Sequence, residues 1–96
     1  MKVVVDYLGY IKSLLGLTQP EAVILENDAT VCDLLNTLAK IHGSPFHKTL
    51  YEPGAVDLKG NIILAVNGLL LNQLSGLETK LKDGDSVVLM PIVSGG

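Results

Sequence analysis

The chain has 96 residues, of which 48% are hydrophobic, with a formal net charge of −3 and a mean hydropathy of +0.42. That length makes one domain, which buries about 60–68% of the surface its unfolded form exposes, and the apolar content argues against disorder. No apolar run approaches the ~20 residues of a membrane-spanning helix, and the acidic balance without a single arginine argues against a nucleic-acid partner, because arginine is the residue suited to bidentate phosphate and guanine contacts.

In chain order, Lys2 to Leu8 is rich in β-branched residues and predicts a first strand. Residues 10–15 predict one or two helical turns stopped by Gly16, and Glu21 to Glu26 a second strand running back. The main helix has the clearest local signature. Thr30 is a good N-cap, and Asp33 three residues later answers it as a capping box. Val31, Leu34, Leu35, Leu38 and Ile41 recur at helical spacing as one apolar stripe. Lys40 and His42 suit the negative end of that helix, and Gly43 suits the position after it. Ser44-Pro45 can open a short second helix running through Tyr51, and Pro53-Gly54 marks a turn.

Asn61 to Val66 predicts a strand, and Asn67-Gly68 a tight hairpin turn into Leu69-Leu70-Leu71. Asp83-Gly84-Asp85 is a further turn. Ser86 to Met90 is the last strand, with Pro91 expected to end its pairing. Val3-Val4-Val5 and Val87-Val88-Leu89 are apolar on both faces, which suits central strands paired in parallel. The order is strand–strand–helix–strand–strand–strand with the first and last strands adjacent. That is an α+β chain, a β-grasp (ubiquitin-like) mixed sheet of four to five strands with one main helix on one face. Its other face then exposes part of Val4, Ile63, Val88 or their neighbours, and an exposed apolar face marks a protein partner. The expected boundaries are a single domain over residues 1–90 and a flexible tail over 91–96.

The sequence ends Pro91-Ile92-Val93-Ser94-Gly95-Gly96. A diglycine end offers a carboxylate with no side chain near it, able to enter a slot where a bulkier residue would clash. With 10 glycines in 96 residues, two in a row at the end arise by chance roughly 1% of the time, so the pair is suggestive and its place after a strand strengthens it. Extended, residues 91–96 reach about 20 Å. Ile92 and Val93 are apolar in a segment expected to be exposed; either a partner's channel buries them or they fold back onto the sheet. A free α-carboxyl has a pKa of about 3.5 and is a poor electrophile when ionised. It needs activation, and no phosphate-binding G-x-x-x-x-G-K-[ST] loop occurs here, so activation must come from another protein.

Other chemistry-bearing residues read as structural. Cys32 near the helix start is expected to pack in the core; alone, it also excludes an internal disulfide and a four-thiolate iron–sulfur cluster. His42 and His47 lack a metal-ligand spacing, and no metal site is expected. Asp83 and Asp85 serve their turn first and can also meet a basic partner surface. Lys80 and Lys82 are expected in solvent. The start, Met1 to Asp6, meets a charge too soon for a signal peptide, so a cytoplasmic location is expected.

Residues 76–96, with Val66-Asn67-Gly68 just upstream, resemble the C-terminal signature of the MoaD/ThiS family of ubiquitin-like sulfur carriers, which includes MoaD, the small subunit of molybdopterin synthase, and the small archaeal modifier proteins. Residues 9–16 are similar to that family's short helix after the first strand, with Lys12-Ser13 where MoaD usually has Arg-Glu. The resemblance implies a carrier protein, not an enzyme in itself, that is the substrate of a MoeB/ThiF-like adenylating enzyme. ATP and Mg would be used by that partner, with no cofactor bound by this chain. Gly96, next to Gly95, would become an acyl-adenylate and then a thiocarboxylate donating sulfur, with molybdopterin synthesis beside a MoaE-like large subunit the favoured destination. Pro91, Ile92, Val93 and Ser94 would be the tail segment that the partner binds. The alternatives it implies are conjugation through Gly96 to target-protein lysines, or sulfur delivery for tRNA thiolation or thiamine.

Overall fold

The computed structural model describes residues 1–51 and 58–92. Alternation of exposed and buried side chains along Lys2–Tyr7 forms strand β1, in which Val3, Val5 and Tyr7 turn inward. Helix α1 follows at Tyr10–Leu14 and strand β2 at Glu21–Ile24. The main helix α2 spans Val31–His42 and the shorter α3 spans Ser44–Leu50. Strand β3 covers Ile62–Val66, β4 Leu69–Leu70 and β5 Ser86–Pro91. Between β4 and β5, residues 71–73 and 76–78 form two short 3₁₀ turns that the sequence does not announce. The predicted turn at Pro53-Gly54 lies outside the described residues.

The five strands form one mixed sheet in the order β2-β1-β5-β3-β4, a ubiquitin-like β-grasp. β1 and β5 run parallel at its centre, with Val5 opposite Val87 and Tyr7 opposite Leu89. β3 lies antiparallel to β5 and β2 antiparallel to β1. The apolar runs of β1 and β5 are therefore central, as unbroken hydrophobicity demands. Asn67 and Gly68 carry φ of 50° and 85°, the two left-handed positions of a hairpin turn that splays neither strand.

One face of this sheet is covered by helices. Val31, Leu34, Leu35 and Leu38 of α2, Ile11 of α1, and Phe46 and Leu50 of α3 join Val3, Val5, Val87 and Leu89 in one core. The capping box at the start of α2 is present: the Asp33 N–H donates to Thr30 Oγ1 at 3.2 Å, and the Thr30 N–H donates to Asp33 Oδ2 at 2.9 Å, worth about 1 kcal/mol. The chain just before β5 pins the same helix start. The Val31 N–H donates to the Thr79 carbonyl and the Leu81 N–H to the Ala29 carbonyl, each at 2.9 Å.

Two expectations for α2 are corrected. Ile41 is 55% exposed and is not part of the core stripe. At 3.6 residues per turn, position 42 continues the inward line and position 41 lies about 100° to its side; His42 takes the inward place. Cys32 is exposed, not packed in the core, because it follows Val31 by one residue and the same rotation carries it out of the stripe. Among the described residues no helix is long and apolar enough to cross a membrane, and no group of three or more His, Cys, Asp or Glu is arranged to hold a metal ion.

Candidate functional site: the base of the C-terminal tail

The tail springs from the middle of the sheet. β5 is flanked by β1 on one side and β3 on the other, so the direction in which it ends is set by two neighbours. The expectation that Pro91 stops the pairing is corrected: Pro91 stands opposite Ile62, and the Ile92 N–H donates to the Asn61 carbonyl at 2.7 Å. Residues 88, 90 and 92 direct their backbone groups to β3, so the proline nitrogen faces the β1 side. There β1 has already ended at Tyr7, and a missing donor interrupts no strand pairing.

Gly9 occupies the space β1 leaves. A Cβ at Gly9 would stand 2.9 Å from Pro91 Cγ, and its φ of 62° with ψ of −145° is a conformation essentially reserved for glycine. The chain can thus turn from β1 into α1 in contact with the pyrrolidine ring. Tyr10, the first residue of α1, then reaches across: the Asn61 Nδ2 donates to the Tyr10 Oη at 3.3 Å. Ile92 is 49% exposed and Tyr10 44%. Val93, Ser94, Gly95 and Gly96, the other residues expected in the tail site, lie outside the described residues.

The sheet face opposite the helices leads up to this exit. Val4 is 36% exposed, while Ile63, Val88 and Met90 are half-buried. Ile63 pairs with Met90 and Ala65 with Val88 across β3 and β5, and exposed Leu70 lies opposite Ala65 on β4. The result is an apolar stripe running toward Ile92. The sequence points to Val4, Ile63 and Val88 as candidates. It does not single out Met90, Leu70, Tyr10 or Asn61, although alternation from Val88 leads to Met90.

A second polar cluster lies on the helix-covered side of the sheet. Glu21 Oε1 accepts from the Tyr7 hydroxyl at 2.7 Å and meets His42 Nε2 at 2.6 Å. The His42 ring sits edge-on to Tyr7 and stacks on Phe46. Burial pushes the Tyr7 phenol far above its ordinary pKa, helped by its hydrogen bond to Glu21 and by that carboxylate's charge. This cluster ties β1, β2 and the end of α2 together. His47 stacks on Tyr51 at 4.8 Å, so the two histidines serve different contacts.

A family model described as the ThiS family matches residues 5–96. The chain belongs to the ThiS family. A putative sulfur carrier protein of Archaeoglobus fulgidus is 39% identical over 75 residues, which cover 75% of this chain and 83% of that one. Small archaeal modifier protein 3 of Haloferax volcanii is 35% identical over 72 residues, 75% of each chain. Among solved structures, SAMP1 of Haloferax volcanii superposes with a TM-score of 0.78 at 26% identity, covering 100% of both chains. A putative molybdopterin converting factor subunit 1 of Pyrococcus furiosus superposes with a TM-score of 0.72 at 30% identity, covering 97% of this chain and 99% of that one. The family is one of small sulfur carriers and ubiquitin-like modifiers. Within this ThiS-family chain the match takes in the whole tail base, from Gly9 to Ile92, and continues through Gly96.

Proposed function

We propose that this chain carries sulfur as a thiocarboxylate on Gly96. The observation that carries the proposal is that the central strand β5 is held in register as far as the Ile92–Asn61 hydrogen bond, a few residues before the diglycine in the sequence. In this reading a MoeB/ThiF-like adenylating enzyme in the cytoplasm docks on the apolar open face. A Gly96 carboxylate oxygen attacks the α-phosphorus of that enzyme's Mg-bound ATP, and pyrophosphate leaves. Hydrosulfide from a separate donor then adds to the acyl carbon and AMP departs, leaving the terminal thiocarboxylate. This chain supplies the carboxylate and its presentation, while the nucleotide site and the sulfur source belong to partners.

The favoured destination of the sulfur is molybdopterin, with a MoaE-like large subunit receiving the tail. Similarity to a putative molybdopterin converting factor subunit supports this branch. Delivery to a thiazole precursor for thiamine or to a tRNA base uses the same tail chemistry. The test is intact-mass spectrometry after incubation with the cognate adenylating enzyme, ATP and a sulfur donor. The expected product has one terminal oxygen replaced by sulfur, and an unchanged mass counts against the proposal.

A second reading is favoured by the similarity to small archaeal modifier protein 3. Here the adenylated Gly96 is attacked by a lysine amine of a target protein, AMP leaves and an isopeptide bond forms. Affinity purification from cells followed by tryptic digestion would then recover target lysines carrying residues 83–96, since Lys82 is the last site for trypsin before the diglycine. One protein can serve both roles, since they diverge only after activation.

A further inference from the structure

We propose that Tyr10 and Asn61 are positioning residues that set the direction in which the tail leaves the sheet, and so the rate at which Gly96 is activated. The inference rests on the activation reading above. Asn61 holds both sides of the exit. Its carbonyl takes the Ile92 N–H at 2.7 Å, and its side-chain amide donates to the Tyr10 hydroxyl at 3.3 Å. Tyr10 is in turn fixed by Gly9, which stands against Pro91 so closely that a Cβ would be 2.9 Å from the ring. Backbone from β1, β3 and β5 converges on this point. Neither the Asn61 amide nor the Tyr10 hydroxyl serves the core, since both lie at the exposed surface.

The geometry of a short tether makes such a clamp consequential. Four residues follow Ile92, and fully extended they reach about 13 Å. Where a partner's channel holds those residues extended, a tilt of about 10° at the base moves their end by about 2 Å. Misplacement by about 1 Å can cost a reaction about a hundredfold. Docking of the globular part depends on the open face and not on this clamp. Loosening the clamp therefore lowers the rate of the chemical step and leaves binding of the chain unaltered.

The experiment is ATP–pyrophosphate exchange by the cognate adenylating enzyme, with this full-length chain as the varied substrate. Tyr10→Phe keeps the ring and removes the hydroxyl; Asn61→Ala removes the amide and keeps the backbone carbonyl. Each is expected to lower kcat about tenfold with KM and melting temperature unchanged. The double variant is expected to be no worse than the more affected single variant, because both delete one hydrogen bond. Variants that match the wild-type kcat overturn the proposal. So does a rise in KM at constant kcat, which would make Tyr10 a docking contact, and so does a kcat loss that tracks a fall in melting temperature, which would make the bond merely structural. If the wild-type chain supports no exchange, the activation reading itself fails and the clamp fails with it.

Discussion

Gly9 and Pro91 touch at the point where the first strand turns away and the last strand runs on, with room for no more than a hydrogen on Gly9: a Cβ there would lie 2.9 Å from Pro91 Cγ. The contact joins residues near opposite ends of the chain beside the tail exit. It also explains how a proline is accommodated in a central strand, because its nitrogen meets the bend at Gly9 and not a strand partner.

Gly9→Ala is expected to destabilise the fold by about 1–3 kcal/mol, since the residue would have to keep φ of 62° with ψ of −145° while displacing Pro91. Urea denaturation measures this. Gly16→Ala has nothing within 4 Å of its new Cβ, so at a similar φ of 68° it carries backbone strain without the clash. It is expected to cost less than Gly9→Ala.

Glu21→Ala would strip the buried Tyr7 hydroxyl and His42 Nε2 of their shared acceptor. A cost of about 1–3 kcal/mol is expected, because an unpaired buried hydroxyl loses its bond to water as well. Tyr7→Phe removes donor and demand together and is expected to cost less. Combining the two should cost less than the sum, which a denaturation double-mutant cycle would read.

Stability is expected to fall at alkaline pH through Tyr7. Its folded pKa is raised, by burial first and by Glu21 second, above the unfolded phenol value of about 10. The folded state therefore retains a proton that the unfolded state releases. The resulting stability is fully present below about pH 10 and drains away as pH climbs past it toward the folded value. Denaturation midpoints taken from pH 9 upward should decline, and Tyr7→Phe should flatten that decline.

Met90→Asp is expected to weaken docking of the activating enzyme while changing stability little. Met90 is half-buried on the open face, across from Ile63, and does not contribute to the helix-covered core. A charge in the centre of an apolar contact is expected to weaken binding by about tenfold or more. Isothermal titration with the adenylating enzyme and a thermal melt together separate this from misfolding.

Deleting Gly95 and Gly96 is expected to eliminate activation and leave the melting temperature within about 1 °C of wild type, since glycine has no side chain to bury in a core. Mass spectrometry with ATP and a sulfur donor provides the readout. A plain binding module would retain its partner affinity after this deletion, so a pull-down with the truncated chain distinguishes the two.

Much of the fold is legible locally. Thr30 and Asp33 are three residues apart, and their reciprocal hydrogen bonds need no distant partner. Asn67-Gly68 needs only two left-handed residues between strands. The outward face of Cys32 is also implicit in the periodicity of Val31, Leu34 and Leu38, a stronger guide than the general tendency of cysteine to be buried. The Tyr10–Asn61 bond spans 51 residues and the Glu21–His42 contact 21; neither has a spacing that marks it, because the packing of α1 and α2 against the sheet brings those side chains together.

The amino-acid order alone determined the main strands and helices and the central pairing of the first and last strands, and it pointed to a reactive diglycine end, because apolar periodicity, caps and turns act over a few residues. The three-dimensional arrangement decided which groups surround the exit of that end: pairing continued past Pro91, Gly9 closed on the proline ring, and Asn61 came to bridge Ile92 and Tyr10. Those contacts exist because three strands and a helix start converge in space, a condition that depends on the packing of the whole sheet and on no single stretch of chain.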